Sequence, residues 1–421
     1  MRITRKNFQK IFCSALLTAA LLFGVESSGA TKLSPAARVS IITCTPGPDL
    51  YSLFGHTAIR LQDTLNGRLI DWVYNYGTFI FDDDFYVKFA RGKLDYVLSR
   101  ETFPEFQLEY IATGRGIFDQ ELLLTQDEKQ NLIDLLDENY KPENRTYRYD
   151  FFYDNCATRI RDIIVRATSG QPQPDGLGFV YVEPQKIDAV SRINFSYVYS
   201  GNYTFREAIQ CYLQYQPWSD FGIDLALGVP CDKEIGKGQF MFLPDSLMHE
   251  FSYAIYGDQH LTFQSEEILP QEYELSDTSE FTPMITMILV LIVHLIFTVI
   301  LFRKKKINAF GRILFFVTGL LGLLVVFLWF FTDHTATKWN LNILWANPMN
   351  LLFAFMSEKR FRGVVLSWIK VQLFLLIGIL LFWFVLPQQF NPAIIPLVLA
   401  LIAAFGLIVR PGILGFKNSA L

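Results

Sequence analysis

The sequence predicts an α+β globular domain followed by an all-α bundle of about five transmembrane helices. Three observations carry that prediction. Hydrophobic residues make up 51% of the 421-residue chain and mean hydropathy is +0.25, too apolar for an ordinary soluble domain. They are unevenly placed: before about Phe281 apolar periodicity alternates with turn signals, and after it nearly every segment is apolar. The chain also opens on a positively charged, then apolar leader. The formal net charge of −4 argues against a nucleic-acid surface.

Residues 1–30 read as a signal peptide. Arg2, Arg5, Lys6 and Lys10 form its basic start, residues 11–25 its apolar core, and Ser28-Gly29-Ala30 its small-residue cleavage site. Cys13 leaves with it. An uncleaved anchor would put the next domain on the same side of the membrane. Export places Cys44, Cys156, Cys211 and Cys231 in an oxidising compartment, where four cysteines allow three pairings. Cys211 and Cys231 are expected to pair. A Cys44–Cys156 bridge then competes with a free thiol at 156.

Residues 31–280 form the exported domain. Val39-Ser40-Ile41-Ile42-Thr43-Cys44 is a strand-like run stopped by Thr45-Pro46-Gly47-Pro48. A second strand starts near His56, where Thr57, Ile59 and Leu61 alternate with His56, Ala58 and Arg60. Asn66-Gly67 predicts a two-residue hairpin loop, which sets Leu65 opposite Arg68 and Leu61 opposite Trp72. In that register His56 and Asn75 project from one face as diagonal neighbours. Asp82-Asp83-Asp84 lacks the alternating spacing of a calcium loop and reads as a solvated turn or helix start. Thr125-Gln126-Asp127-Glu128 is a capping box opening a helix that packs through Leu132, Ile133, Leu135 and Leu136. Gly and Pro between 169 and 188 mark a loop. Tyr212, Tyr215, Trp218 and Phe221 read as core, and residues 259–279 as a polar tether.

The chemistry concentrates between 149 and 162. An aromatic run stops at Asp154-Asn155, and Ile160, Ile163, Ile164 and Ala167 then share one helical face. Asp154 or Asn155 is the N-cap and Gly170 the stop. Cys156 therefore falls in the first helical turn, where unsatisfied N–H groups and the macrodipole favour a thiolate and are expected to lower its pKa. A buried structural cysteine explains the position equally well. Of five histidines, His56 stands apart, at a strand mouth after Phe54-Gly55. A histidine base is held in tautomer and orientation by a third polar group, and Asn75 is the candidate. The histidines are too dispersed for a zinc motif, and no metal or cofactor is expected.

Beyond residue 280 the chain forms the transmembrane domain, 281–421. Apolar stretches cover residues 284–302, 313–331, 341–356, 364–386 and 393–409. Basic residues follow the first (Arg303 to Lys306), third (Lys359, Arg360, Arg362) and fifth (Arg410, Lys417), so those ends face the cytoplasm. The first span then begins outside, in agreement with the leader. The loop before the third stretch, Thr332-Asp333-His334-Thr335-Ala336-Thr337-Lys338, is densely polar and lies on the exported side. It reads either as an interfacial loop with a Trp339 anchor or as a site where Asp333, His334, Lys338 and Asn342 bind a head group or charged substrate end.

Taken together, Phe54-Gly55-His56 with Arg60, Asn155-Cys156 with Thr158, Arg161 and Asp162, and Asp333 to Lys338 before several spans resemble the Lnb-type bacterial lipoprotein N-acyltransferases. The resemblance covers essentially the whole mature chain. The histidine-before-cysteine order is similar to circularly permuted papain-like (NlpC-like) proteins, such as the lecithin:retinol acyltransferase group. It implies a permuted papain-like periplasmic domain on the bacterial inner membrane. Its implied activity moves an acyl chain from a phospholipid donor, through a Cys156 thioester, to the α-amine of a diacylated apolipoprotein acceptor. His56 and Cys156 match the expected catalytic positions, with Arg60 and Asn155 as substrate-side residues. The third group is not matched by the resemblance, so Asn75 rests on register alone. Two alternatives use the same residues differently: a membrane-anchored periplasmic hydrolase of peptidoglycan or amide bonds, and a non-catalytic envelope receptor or assembly factor with Cys44 and Cys156 bridged.

Overall fold

The computed structural model describes residues 32–65, 67–79, 84–170, 181–197, 203–272, 280–301, 309–356 and 363–409. The leader and the basic clusters at 303–306, 359–362 and 410–417 lie outside the described residues.

Strands β1 (Arg38–Cys44), β2 (His56–Leu65) and β3 (Arg68–Phe79) lead into helix α1 (Phe85–Ala90), β4 (Asp95–Thr102), α2 (Phe103–Thr113) and β5 (Ile117–Glu121). Then follow α3 (Gln126–Tyr140), β6 (Thr146–Arg148), α4 (Cys156–Ala167), α5 (Ile187–Val190) and β7 (Ile193–Asn194). Helices α6 (Phe205–Leu213), α7 (Pro217–Ala226) and α8 (Pro244–Tyr253), and strands β8 (Ile255–Tyr256), β9 (Gln259–His260) and β10 (Glu266–Leu269), complete the domain. The main sheet runs β10-β5-β1-β2-β3-β4-β6, with every pair antiparallel.

Alternation along the central strands splits the core in two. Ile41, Ile59, Leu61, Tyr74 and Tyr76 point to the face covered by α3 and α4, against Leu132, Leu136, Ile160 and Ile164. Ile42, Cys44, Ala58 and Val73 point to the other face, under Phe103, Phe106 and Tyr110 of α2. The hairpin keeps the expected register, Leu65 opposite Arg68 and Leu61 opposite Trp72. The Thr125 capping box forms as the sequence predicts, with Glu128 closing it.

Two expectations change here. The polar stretch from 259 is not a plain tether: β9 joins a small sheet with β7 and β8, and β10 extends the main sheet through β5. Hydrogen bonds to an open sheet edge outweigh the polarity that suggested a linker. Cys211 and Cys231 do not pair. Cys211 is exposed on α6, while Cys231 is buried with its thiol against the Ala336 carbonyl at 3.3 Å; all four described cysteines are free thiols.

The membrane half contains α9 (Pro283–Leu301), α10 (Ala309–Phe330), the short α11 (Asn350–Phe355), α12 (Val364–Leu381) and α13 (Ile394–Val409). Among the described residues three helices, all but α11 and α13, are long and apolar enough to cross a membrane, and the apolar α13 is shorter. The stretch at 341–356 is a correction: it is not one helix. A 3-10 turn at Leu341–Leu344 and the six-residue α11 flank a break at Asn347-Pro348, because proline cannot continue a helix from the residue before it. The broken segment nevertheless runs the length of α10. Trp339 meets Trp329 at one end. Ala346 to Pro348 press on Gly322 and Leu351 on Gly319, where a side chain would find backbone atoms under 3.0 Å away. Arg312 donates to the Ala354 and Met356 carbonyls at the other end.

A polar knot joins the two halves. Arg206 of α6, fully buried, pairs with Asp224 and Asp232 at 2.8 Å each. Asn340 and Asn342 donate to the carbonyls that end α7, Gln388 donates to Leu227, and Asn391 donates to Asp220 and Asp224. Phe221 and Leu225 of α7 are buried in the core of the membrane half.

Candidate active site

Cys156 is the first residue of α4, and the turn before it is rigidly tied. Asp150 and Asp154 exchange backbone hydrogen bonds, and the Asp150 carboxylate accepts from the N–H groups of Phe152 and Tyr153. Asn155 caps the helix: its Oδ1 accepts from Thr158 N–H at 2.9 Å while Thr158 Oγ1 accepts from Asn155 N–H. Its amide also donates to the Phe151 and Phe242 carbonyls. Asn155 thus holds the angle at which Cys156 leaves the turn.

The thiol differs from the expectation. N–H groups of Thr57, Ala157 and Cys156 itself act on the sulfur and lower its pKa, as a helix start should, but burial is the larger effect and pushes it up to about 11. Cys156 rests as a neutral thiol.

His56 stands at the start of β2, paired with Cys44 across β1. Burial drives its pKa down to about 4, the hydrogen bond to Asn75 opposing, so the imidazole is also neutral at rest. Its Nε2 lies 2.7 Å from Asn75 Oδ1. The Asn75 amide in turn donates to Glu101 Oε1 at 3.3 Å. A carboxylate can only accept from an amide unless protonated, so Glu101 turns the NH₂ of Asn75 toward itself and the carbonyl toward His56. His56 then carries its proton on Nε2 and presents Nδ1 as the basic nitrogen.

Gly77 brings the two residues together. The β3–β4 pairing shifts register between Asn75 and Thr78, and within that irregularity Gly77 adopts φ +100°, a conformation that costs other residues strain. A Cβ at Gly77 would lie 3.5 Å from His56 Cε1 and 3.9 Å from Cys156 Cβ. The absent side chain is the space between imidazole and thiol. The loop before His56 and the turn before Cys156 also pack together, through Phe54 and Phe151 with ring centroids 4.8 Å apart. Tyr96 and Tyr149, stacked at 4.3 Å, are close enough to feel charge on Cys156.

The sequence-derived site residues fall into two groups. Cys156, His56 and Asn75 converge. Arg60 is buried, bound to Asp71 at 2.6 Å and Asp119 at 2.9 Å, with Phe103 stacked on it. Lys338 donates to the Trp329 and Thr332 carbonyls, closing the end of α10. Asn342 is buried between α7 and the Trp345 indole. Asp333 and His334 lie on the exported domain: Asp333 N–H donates to the Arg91 carbonyl, its carboxylate is 3.7 Å from Arg148 and 3.9 Å from Lys93, and His334 abuts Gly92. Thr335 donates to Asp150 at 2.8 Å. The membrane half therefore reaches the turn that presents Cys156.

Cys44 and Cys156 are both free thiols, with Cys44 buried on the α2 face and Cys156 packed on the opposite one. Residues missed in the sequence are Glu101, Gly77 and the Thr57 N–H. A glycine inside the strand run Asn75-Tyr76-Gly77 was a readable sign of an irregularity. Glu101 carried no local sign, since its position depends on a shifted register.

Comparison with known proteins gives two family models. One, described as the Lnb N-terminal periplasmic domain, matches residues 28–182. The other, described as the Lnb transmembrane domain, matches residues 274–411. No curated protein and no solved structure matches the chain.

Proposed function

A chain carrying both of these domains in this order belongs to the Lnb family, and on that premise we propose that it is a lipoprotein N-acyltransferase with Cys156 as nucleophile and His56 as base. On this reading residues 1–30 are removed, 31–280 form the periplasmic catalytic domain, and 281–421 hold it in the inner membrane. The acyl donor is a phospholipid and the acceptor is the free α-amine of a diacylated apolipoprotein. Asp333 and His334, beside Lys93 and Arg148, are the outer-loop groups this reading assigns to a charged head group or substrate end.

The reaction runs in two halves. His56 Nδ1 takes the Sγ proton as sulfur attacks the ester carbonyl, so no standing thiolate is required. The tetrahedral oxyanion draws on N–H groups at the start of α4 and at Thr57. The ester C–O bond then breaks, His56 returns the proton to the departing lysophospholipid oxygen, and a Cys156 thioester remains. In the second half the lipoprotein amine attacks that thioester and gives a proton to His56. Sulfur leaves and is reprotonated, and the product is an amide.

The observation that supports this reading best is the gap left at Gly77 between a neutral thiol and an imidazole whose Nε2 is committed to Asn75. Mass spectrometry of lipoproteins from cells carrying Cys156→Ser as their sole copy tests it. Loss of the N-acyl group is expected, and persistence of N-acylation with no redundant enzyme would refute it.

A further inference from the structure

We propose that the loop leading into His56, residues 46–52, is a second membrane contact, seated in the outer leaflet beside the first span. Leu50 and Tyr51 are 55% and 69% exposed, an expensive presentation for two large apolar side chains unless something apolar covers them. The loop is held in shape. Gly47 N–H donates to the Ser52 carbonyl at 3.0 Å, Ser52 N–H to the Asp49 carbonyl at 2.8 Å, and Leu53 is fully buried behind it.

Continuity with the membrane half identifies the occupant. Gln216, at the start of α7, donates its side-chain amide to the Pro48 carbonyl at 2.7 Å. Trp218, two residues on, donates its indole N–H to the Phe281 carbonyl at 2.8 Å, just before α9. The same helix buries Phe221 and Leu225 in the core of the membrane half. Leu50, Tyr51, Tyr215, Trp218 and Phe281 thus form one exposed rim running from the His56 loop to the mouth of the first span. Its aromatic content suits the boundary between head groups and acyl chains, where rings with an apolar body and a polar edge settle. Asp49 is the one charge between 46 and 52 and marks the depth limit, since it must stay among head groups. A contact of this kind needs to enter the leaflet by only about 5–10 Å. It brings the start of β2, and with it His56, toward the level of lipid ester carbonyls. The contact itself does not depend on the reaction proposed above.

Photo-crosslinking tests it directly. Benzoylphenylalanine is placed singly at Leu50, Tyr51, Phe281 and Leu69 of the full chain in nanodiscs of phosphatidylethanolamine and phosphatidylglycerol, and intact masses are read after irradiation. Leu69 is 80% exposed, and β2 is ten residues long, which at about 3.3 Å each sets it roughly 30 Å from His56. The expected result is a gain of one phospholipid mass at 50 and 51, as at 281, and none at 69. Adducts at 281 but not at 50 or 51 would overturn the proposal, as would equal adducts at 69.

Discussion

Two buried polar clusters in this molecule look alike on a list of residues and behave in opposite ways. At Arg206 two carboxylates surround one guanidinium, and neighbouring amides and carbonyls take up the remaining valences. At His56 a neutral imidazole and a neutral amide lead to the Glu101 carboxylate and leave one ring nitrogen uncommitted beside a thiol. The first cluster is complete and holds two regions together. The second is incomplete on the side that faces a reactive atom. Burial of polar groups therefore does not mark a site; a spare valence beside a nucleophile does.

Removing the reactive atoms should separate the clusters most sharply. Cys156→Ala is expected to abolish acyl transfer and His56→Ala to lower kcat by about 10²–10⁴, with thermal unfolding of the purified protein little changed. At the other cluster, Arg206→Ala strands two buried carboxylates and should cost about 3–5 kcal/mol of stability. Denaturant unfolding reads the loss, while turnover per folded molecule is kept. A variant of Arg206 that lost turnover without losing stability would erase the distinction.

Gly77→Ala tests the gap between imidazole and thiol directly. Its cost in backbone strain is about 1–3 kcal/mol, and the added methyl meets the His56 ring, so kcat/KM should fall further than stability alone explains. Glu101→Gln probes the far end of the chain. A glutamine can present either face to Asn75, so the amide is no longer forced to accept from His56. About tenfold in kcat is expected, with KM for the lipid donor unchanged. Rescue by Glu101→Asp would separate positioning from general destabilisation.

The smallest effect is on pH dependence. With the His56 pKa lowered to about 4, kcat/KM should stay level through the region where an ordinary histidine titrates and fall only near pH 4. The sign for stability follows from the same shift. The unfolded chain binds a proton at His56 more readily, so its contribution is full above the ordinary histidine pKa and is lost as pH drops toward 4. His56→Gln should flatten the thermal midpoint over that window.

Much of this was legible in the residues. The Asn66-Gly67 turn and strand alternation fixed the hairpin register, and with it the meeting of His56 and Asn75, because a two-residue loop leaves one pairing. The Asn155 cap and the Cys156 position followed from helix-start chemistry. What stayed hidden depended on contacts distant in sequence. The rise in the Cys156 pKa reflects burial, which no motif encodes. Glu101 reaches Asn75 only through an irregular pairing of β3 with β4. Arg60, Lys338 and Asn342 carry the right chemistry for substrate binding, yet internal partners engage them: Asp71 and Asp119 for Arg60, the end of α7 for Asn342, and the nearby Trp329 and Thr332 carbonyls for Lys338.

The broken segment along α10 bears on the order in which the membrane half is assembled. Its interrupted backbone leaves carbonyls that a continuous helix would have satisfied. Gln372 of α12 takes the Leu344 carbonyl at 2.6 Å, and Asn350, bonded to Thr318, takes that of Trp345. Exposed to lipid alone, such groups are costly. Gln372 is synthesised after the segment it completes, so the Leu344 carbonyl gains this partner only once α12 has arrived. The broken segment and α12 are therefore expected to settle together rather than one after the other.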